Sequence, residues 1–257
     1  MRQINLCLAI AMCCASSELR ADWNSTISTS NPLNWYRLDE LTGSTAFDYG
    51  SQELHGTYGS GVNAPTRGVP GLVGTAVEFD GDRDNIVLNG STLTGNWSAE
   101  FILKKTGTKF SAELLRGAAL QFPSTHLKLE QYPNTGEVGY TQSFVADHTF
   151  SPPVVAPIGD FIQLVYVKSA TDVKAYVNGV FAGSNNTTIS LSRYQFGDTE
   201  TESPFAVVDE IVVYNRSLSA LEIADHYSAI PEPGSIILAG SALLCLIVAR
   251  GFARGRF

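Results

Sequence analysis

The central part of this chain contains no cysteine. Cysteines occur only at Cys7, Cys13 and Cys14 near the start and at Cys245 near the end of the 257 residues. Disulfide frameworks, cysteine-ligated zinc sites and cysteine nucleophiles are therefore excluded from the stretch between them. The stability of that stretch must come from a hydrophobic core, and its length is ample for a single all-β domain.

Positive charge is scarce in the same stretch. Residues 22–233 hold 12 lysines and arginines against 24 aspartates and glutamates, which gives a net charge of −12. Such an acidic surface repels the phosphates of DNA and RNA, and we expect no nucleic-acid partner. It would attract cations instead, Ca²⁺ among them.

Helical periodicity is almost absent before the last 40 or so residues. Short apolar or alternating runs are separated by Gly, Asn, Asp, Ser and Pro, a pattern typical of the strands and turns of a sandwich or jelly roll. The predicted strands are Trp35–Leu38, Ala76–Phe79, Asn85–Leu88, Ala99–Leu103, His126–Gln131, Val138–Phe144, Phe161–Val167, Asp172–Val177 and Phe205–Tyr214.

Two local motifs give sharper predictions. Asn178 and Gly179 lie between two β-rich arms, and both tolerate the positive φ of a type I′ hairpin turn. Ser219 is followed three residues later by Glu222, which predicts a capping box at the start of one short helix that ends before Pro231.

Catalytic motifs are missing as well. Glycoside hydrolases built on β-sandwiches present carboxylates at alternate positions of one strand, so that all of them face one cleft. Asp209 and Glu210 are adjacent and are expected to point to opposite faces, while Glu200 and Glu202 lie in a polar loop. No serine occupies a G-x-S-x-G motif. A hydrolase whose carboxylates come from distant strands stays open.

The histidines and tryptophans give no site by themselves. The histidines lack H-x-H and H-x-x-x-H spacing, and we interpret each as a surface residue or as one with locally satisfied hydrogen bonds. They are His55, His126, His148 and His226. We expect Trp23, Trp35 and Trp97 mostly in the core, with stacking of one of them on a sugar ring as the alternative.

Several segments together carry a family resemblance. They are Trp35–Tyr49 (WYRLDELTGSTAFDY), Gly56–Tyr58, Pro70–Gly81 (PGLVGTAVEFDG), Phe161–Gly179 and Val208–Tyr227 (VDEIVVYNRSLSALEIADHY). In this order they resemble the LamG-like jelly-roll domains of the concanavalin A-like β-sandwich family, over about residues 33–229. The resemblance implies an all-β sandwich in which the first and last strands are neighbours. Residues 106–155 fit the family pattern poorly, and their loops are where ligand specificity would differ.

The same resemblance implies a structural calcium ion. Its ligands would include Asp48 in the opening segment and Asp209 in the closing one. In the alternative, Asp48 accepts N–H bonds within a turn and Asp209 satisfies backbone donors near the closing strand. The acidic loop Asp80–Asp84 does not form an EF-hand, because Asn85 and Ser91 occupy the places of its glycine and terminal glutamate.

The first 21 residues have the three parts of a secretory signal peptide. Arg2 gives a positive start, Leu6–Ala15 is an unbroken apolar run, and small residues follow. This run is too short for a spanning helix. Cleavage could follow Ala15, Ser17 or Ala21. We therefore predict a signal peptide over residues 1–21 and a folded domain over residues 22–230.

Residues 231–257 are predicted to be a sorting segment. Pro231, Glu232 and Pro233 precede an uncharged apolar stretch over 235–249, and three arginines follow it. These are Arg250, Arg254 and Arg256. A helix over the apolar stretch spans about 22 Å, short of a hydrocarbon core near 30 Å, so that it would cross a membrane only with local thinning or snorkelling flanks. Arginines after it should stay in the cytoplasm, which leaves the acidic domain outside.

This tail closely resembles the PEP-CTERM sorting signal of bacteria. The resemblance implies recognition by an exosortase, cleavage near the Pro-Glu-Pro motif, and export to the cell surface or extracellular matrix after transient membrane anchoring. We therefore expect a non-enzymatic surface or matrix protein that binds glycan or protein. An extracellular polysaccharide hydrolase and a purely structural coat component are the alternatives.

Overall fold

The computed structural model describes residues 22–118, 124–133 and 136–231. These residues form two antiparallel β-sheets of eight strands each. The strands are β1 (Asn34–Tyr36), β2 (Thr45–Ala46), β3 (Gly56–Tyr58), β4 (Thr66–Pro70), β5 (Thr75–Asp80), β6 (Asn85–Leu93), β7 (Trp97–Lys105), β8 (Ala112–Arg116), β9 (Thr125–Glu130), β10 (Gly139–Gln142), β11 (Ala146–Thr149), β12 (Phe161–Lys168), β13 (Val173–Val177), β14 (Val180–Asn185), β15 (Leu191–Gly197) and β16 (Phe205–Tyr214). The helical elements are α1 (Trp23–Thr29), a 3₁₀ turn (Gly61–Asn63) and α2 (Ala220–Ala229).

The two sheets use strands from all along the chain. The first sheet has the order β14-β13-β12-β7-β16-β5-β4, with β1 also paired to β16, and the second has the order β11-β10-β9-β8-β15-β6-β3-β2. The expected neighbourhood of the first and last strands is confirmed, because Trp35 of β1 pairs with Val212 of β16. The all-β sandwich prediction is likewise confirmed, and every predicted strand overlaps an observed one.

Alternation along the strands explains the layers. On β7, Phe101 and Leu103 face the core between the two sheets, whereas Ile102 faces the outer side of the first sheet. Trp23 of α1 and Ile223 of α2 cover that outer side. Each fully buried apolar side chain of this size stabilises the fold by about 1.5–3 kcal/mol. Both helices lie against the first sheet, whereas the outer face of the second carries polar side chains such as His126 and Lys128.

The predicted turn and helix cap are present. Asn178 and Gly179 have φ angles of 50° and 78°, as a type I′ hairpin requires. At α2, Ser219 accepts from the backbone N–H of Glu222, whose side chain accepts from the backbone N–H of Ser219. The predicted short helix is therefore confirmed as α2, whereas α1 was not predicted. Its buried Trp23 and Ile27 are four residues apart on one face, a signal too short to stand out in the sequence.

Both predicted targeting segments lie outside the described residues, except for Pro231. Residues 1–21 and everything from Glu232 onward, including the three arginines, therefore keep their sequence-based interpretation. Across the part of the chain that the structure describes, no helix combines the length and apolar character needed to cross a membrane.

Candidate functional site

Asp48 lies in a turn beside β1 and is fully engaged by N–H donors. One carboxylate oxygen accepts from the backbone N–H of Trp35 at 2.7 Å and of Gly50 at 2.8 Å. The other accepts from Asn34 Nδ2 at 2.7 Å and from the backbone N–H of Leu54 at 2.8 Å. Four donors occupy the lone-pair positions of a carboxylate, so that this side chain as placed does not fit a calcium ligand.

Asp209 lies elsewhere, on β16, and shares no hydrogen-bond partner with Asp48. Its Oδ2 accepts from the backbone N–H groups of Leu72 and Val73 at 2.6 and 2.7 Å. Its Oδ1 is buried and has no hydrogen-bond partner among the described residues. Burial raises the pKa of this carboxyl to about 7, although the two N–H bonds act in the opposite direction.

The expectation that Asp209 and Glu210 point to opposite faces was wrong. A register shift between Val208 and Glu210 makes a β-bulge against β7. Val208 and Ile211 both face the core between the sheets, so both intervening carboxylates turn outward. Glu210 accepts from Trp35 Nε1 at 2.6 Å, and burial raises its pKa well above the usual range.

These placements bear on the calcium prediction. Among residues 22–118, 124–133 and 136–231, no group of three or more His, Cys, Asp or Glu side chains is arranged to hold a metal ion. Asp48 and Asp209 each accept hydrogen bonds from backbone N–H groups, as the alternative interpretation expected. Calcium binding stays a prediction.

The tryptophans are core residues. Trp23 and Trp97 are fully buried, and Trp35 is nearly so. None of the three is therefore available to stack on a sugar ring. Exposed aromatic side chains lie elsewhere, and two of them, Tyr132 and Phe144, border a cleft on the second sheet.

This cleft has a volume of about 300 Å³ and opens on the outer face of β8, β9 and β10. Its lining is mostly polar and consists of Ser111, Glu113, His126, Lys128, Tyr132, Thr141, Ser143, Phe144, Asp147 and Glu202. All but Glu202 come from residues 106–155, the part of the chain whose loops were expected to set ligand specificity. The cleft is our candidate functional site.

Glu113 of β8 is the central acceptor in the cleft. Its Oε1 lies 2.5 Å from His126 Nδ1 and 3.1 Å from Lys128 Nζ, and its Oε2 lies 3.1 Å from Arg116 Nη1. Burial alone would raise the pKa of this carboxyl, but Lys128, His126 and Arg116 outweigh it and hold the pKa well below its usual range. Glu113 is therefore ionised at neutral pH.

Lys128 of β9 links the walls of the cleft. Its ammonium donates to Ser111 Oγ at 2.9 Å and to Glu202 Oε2 at 2.6 Å, in addition to Glu113. Glu202 comes from the loop before β16, so this contact ties that loop to the second sheet. Removing either carboxylate would leave a buried cation short of a partner, which is costly.

His126 completes the buried polar row on β9. Its Nε2 lies 2.7 Å from Ser143 Oγ and 3.2 Å from Ser124 Oγ, on the side of the ring away from Glu113. Its hydrogen bonds are satisfied, as expected, but all of its partners are in or beside the cleft. The sequence did carry a signal: His126, Lys128 and Glu130 alternate with Leu127 and Leu129, which predicts a strand with one charged face.

The two carboxylates that flank Lys128 do not form a glycosidase pair. Glu113 and Glu202 come from distant parts of the chain, as the open hydrolase alternative required, but the ammonium of Lys128 lies between them. A glycosidase needs one protonated carboxyl as its acid. Glu113 cannot supply it, because its pKa is depressed. Lys128 also occupies the space where the scissile bond would have to lie.

Comparison with known proteins reveals the fold. No protein-family model and no curated protein matches the chain. Among solved structures, domain 4 of AbnA, a GH43 extracellular arabinanase from Geobacillus stearothermophilus in complex with arabinotriose, is 19% identical. The match covers 77% of this chain and 98% of that domain, with a TM-score of 0.61. This chain has the fold of that β-sandwich domain.

Two further structures are similar over part of their length. Trypanosoma rangeli sialidase in complex with the inhibitor DANA is 15% identical with a TM-score of 0.54, and the match covers 76% of this chain and 32% of that one. The botulinum neurotoxin serotype G binding domain is 12% identical with a TM-score of 0.54, and the match covers 77% of this chain and 50% of that one. The chain thus spans about a third of the sialidase. At these identities the likeness concerns the fold alone.

Proposed function

We propose that this protein is an exported glycan-binding domain of the LamG-like type and that the cleft on its second sheet is the binding site. The observation that carries the proposal is the cleft itself, a concave site of about 300 Å³ lined by polar side chains and bordered by exposed aromatic ones. Ligand pockets run from roughly 300 to 1,000 Å³. A site at the small end suits one sugar residue of a chain better than a protein surface.

The polar lining suits sugar hydroxyl groups, each of which donates and accepts hydrogen bonds. Ser143 and Thr141 present hydroxyl groups, and Asp147 and Glu202 present acceptors. Thr141 Oγ1 already donates to Asp147 at 2.6 Å, so that the edge of the site is partly ordered before a ligand arrives. Such preorganisation lowers the entropic cost of binding.

An aromatic side chain stands at the rim. Tyr132 is 48% exposed, and its ring packs edge-on against Phe110 with ring centroids 4.6 Å apart. This contact holds the tyrosine ring in place while leaving a large part of its surface open. Ring faces held in this way favour apolar contact with the C–H face of a sugar.

The charge of the site favours neutral glycans. Glu113, Glu202 and Asp147 bring three carboxylates to the cleft, whereas Lys128 brings one permanent positive charge. The whole chain has a formal net charge of −8. Uronate-rich or sulfated polysaccharides would meet repulsion on approach. The similar arabinanase domain is in complex with arabinotriose, which makes neutral oligosaccharides the first probes to test.

Binding can be tested with the full chain in mild detergent on an array of neutral and anionic oligosaccharides that includes arabinotriose. We expect binding to neutral members, and a loss of about two- to tenfold in affinity for Tyr132→Ala, because a stacked aromatic contributes roughly 0.5–1.5 kcal/mol. Tyr227→Ala is the matched control, since Tyr227 is 41% exposed on α2, away from the cleft. Equal affinities for the two variants, or no bound glycan, would contradict the proposal.

Export is the second part of the proposal. The signal-peptide pattern of residues 1–21 and the tail with Pro231, Glu232 and Pro233 support export by a signal peptide, transient membrane anchoring and processing by an exosortase-type enzyme. The product would reside at the cell surface or in the extracellular matrix. Expression in an exosortase-containing bacterium with and without that enzyme tests this. Mass spectrometry should find the C-terminus near Pro233 only when the enzyme is present, and an intact tail in both strains would contradict it.

A further inference from the structure

A chain of hydrogen bonds inside the cleft has the geometry of an acyl-transfer site. Ser143 Oγ lies 2.7 Å from His126 Nε2, and His126 Nδ1 lies 2.5 Å from Glu113 Oε1. The serine and the carboxylate thus bond to opposite nitrogens of one imidazole ring. This is the order of nucleophile, general base and orienting acid that activates a serine hydroxyl.

Strand register brings the three residues together. β8 and β9 pair antiparallel, with Arg116 opposite His126, and β9 pairs with β10, with His126 opposite Thr141. Ser143 then begins the turn to β11, and its backbone N–H donates to the carbonyl of Ser124 at 2.9 Å. The imidazole is held from both strands that flank it.

Ser143, not Ser124, is the accessible hydroxyl. Both serines reach Nε2 of His126, but Ser124 lies 3.2 Å from it, is 5% exposed and does not line the cleft. Ser143 lies closer and does line it. A substrate in the cleft would therefore meet the Ser143 hydroxyl.

His126 lies beside a network of ion-paired charges. Glu113, Glu202 and Asp198 carry three negative charges, and Lys128 and Arg116 carry two positive ones, all joined by ion pairs. This ion-paired network without the imidazole has a net charge of −1.

A second row of hydrogen bonds in the protein shows that this geometry alone does not make a site that a substrate can reach. Ser30 Oγ lies 2.8 Å from His226 Nε2, and His226 Nδ1 lies 2.9 Å from Glu100 Oε2. His226 is 1% exposed, and the rings of Trp23 and Tyr214 pack against it. No substrate can reach this imidazole. It provides a matched internal control for the accessible one.

We propose that the cleft is an esterase site for O-acyl groups, with Ser143 as the nucleophile, His126 as the general base and Glu113 as the residue that orients the imidazole. The chemical class of substrate is a small neutral ester, such as an acetyl ester of a sugar hydroxyl. The sugar part of this assignment rests on the proposed glycan binding, whereas the acyl-transfer chemistry does not.

The steps balance with water as the only co-reactant. Ser143 Oγ attacks the ester carbonyl while His126 Nε2 takes its proton, and collapse of the tetrahedral intermediate breaks the bond to the sugar oxygen, which takes the proton from His126. Water then attacks the acyl-serine with His126 again as base. The products are the free sugar hydroxyl, the carboxylic acid and the restored serine.

The test uses the full chain in mild detergent with 4-nitrophenyl acetate and acetylated xylan as probes. Relative to the wild type, Ser143→Ala and His126→Ala should each lower the release of 4-nitrophenol and acetate by at least about 100-fold, the scale of a lost nucleophile or general base. Glu113→Gln should lower kcat with KM unchanged, because it acts through the imidazole. Ser30→Ala should leave the rates unchanged.

Covalent labelling gives a second measurement that requires no substitution. A fluorophosphonate should add to the peptide that contains Ser143 and not to the one that contains Ser30. The proposal is overturned if Ser143 stays unlabelled, or if the wild type and Ser143→Ala hydrolyse both probes at the same rate. Glycan binding by Ser143→Ala separates the two functions. A variant that is inactive but still binds glycan supports both proposals. If the wild type hydrolyses 4-nitrophenyl acetate but binds no glycan, only the proposed binding function is removed.

Discussion

Replacing Asp209 by asparagine should remove a large part of the pH dependence of stability between pH 5 and pH 8. The wild-type carboxylate is fully buried and receives only two N–H bonds, from Leu72 and Val73. An asparagine side chain has nearly the same shape, and its carbonyl oxygen can accept both bonds. Because asparagine carries no charge, its contribution to the stability of the fold should not change with pH.

The magnitude follows from the pKa of Asp209. Burial raises the pKa from 3.8 to about 7, which corresponds to about 4 kcal/mol disfavouring the charged form in the folded protein. The native state holds this proton more tightly than the unfolded chain, so that stability falls as the pH rises from about 4 to about 7 and levels off above that. Between pH 5 and pH 8 the loss amounts to about 2.5 kcal/mol.

Guanidinium unfolding of the wild type and Asp209→Asn at pH 5, 6, 7 and 8 measures this effect. The stability difference should move by about 2.5 kcal/mol in favour of the variant over this range. An unpaired amide could add a pH-independent cost of about 1–3 kcal/mol, so that the slope and not the offset is decisive. Asp225→Asn, on the exposed side of α2, is the control. A difference that stays constant with pH would refute the reasoning.

Three further predictions concern single contacts and calcium. Asp48→Ala should lower the unfolding free energy by at least about 3 kcal/mol in urea, because it strands four N–H donors, and a loss below about 1 kcal/mol would show that they find other acceptors. Ser219→Ala should cost about 1 kcal/mol through loss of the α2 cap, and an unchanged urea midpoint would contradict this. If calcium binds as the sequence resemblance implies, Tm should be higher in millimolar CaCl2 than in EGTA by a margin that grows with concentration. Equal Tm values would contradict the calcium prediction.

The strand pattern was largely readable because it depends on alternation over a few residues. The run Phe205–Tyr214 was predicted over the full length of β16. The bulge at Asp209 within the same run was not, because it arises from a register shift against β7. After a one-residue shift of this kind, every following side chain points to the opposite face from the one that strict alternation would give it. The sequence therefore could not reveal that two adjacent carboxylates share a face.

The candidate site shows the same limit. No sequence motif surrounds Ser143, His126 or Glu113 that would mark any of them as a site residue. The three come from β8, β9 and the turn after β10, and they meet only because these strands pair in one register. The same order of serine, histidine and glutamate occurs around His226. Burial, which also depends on the whole fold, therefore decides which of the two imidazole rings a substrate could reach.

By itself, the sequence determined the all-β class, the hairpin at Asn178-Gly179, the capping box of α2 and the absence of cysteine chemistry in the folded domain. These depend on backbone preferences and composition, which act within a few residues of the chain. Only the tertiary structure decided where the charged face of β9 lies, which carboxylates are engaged and where a cleft opens. The reason is physical: burial, pKa values and hydrogen-bond geometry depend on neighbours that are distant in sequence, and strand register selects those neighbours.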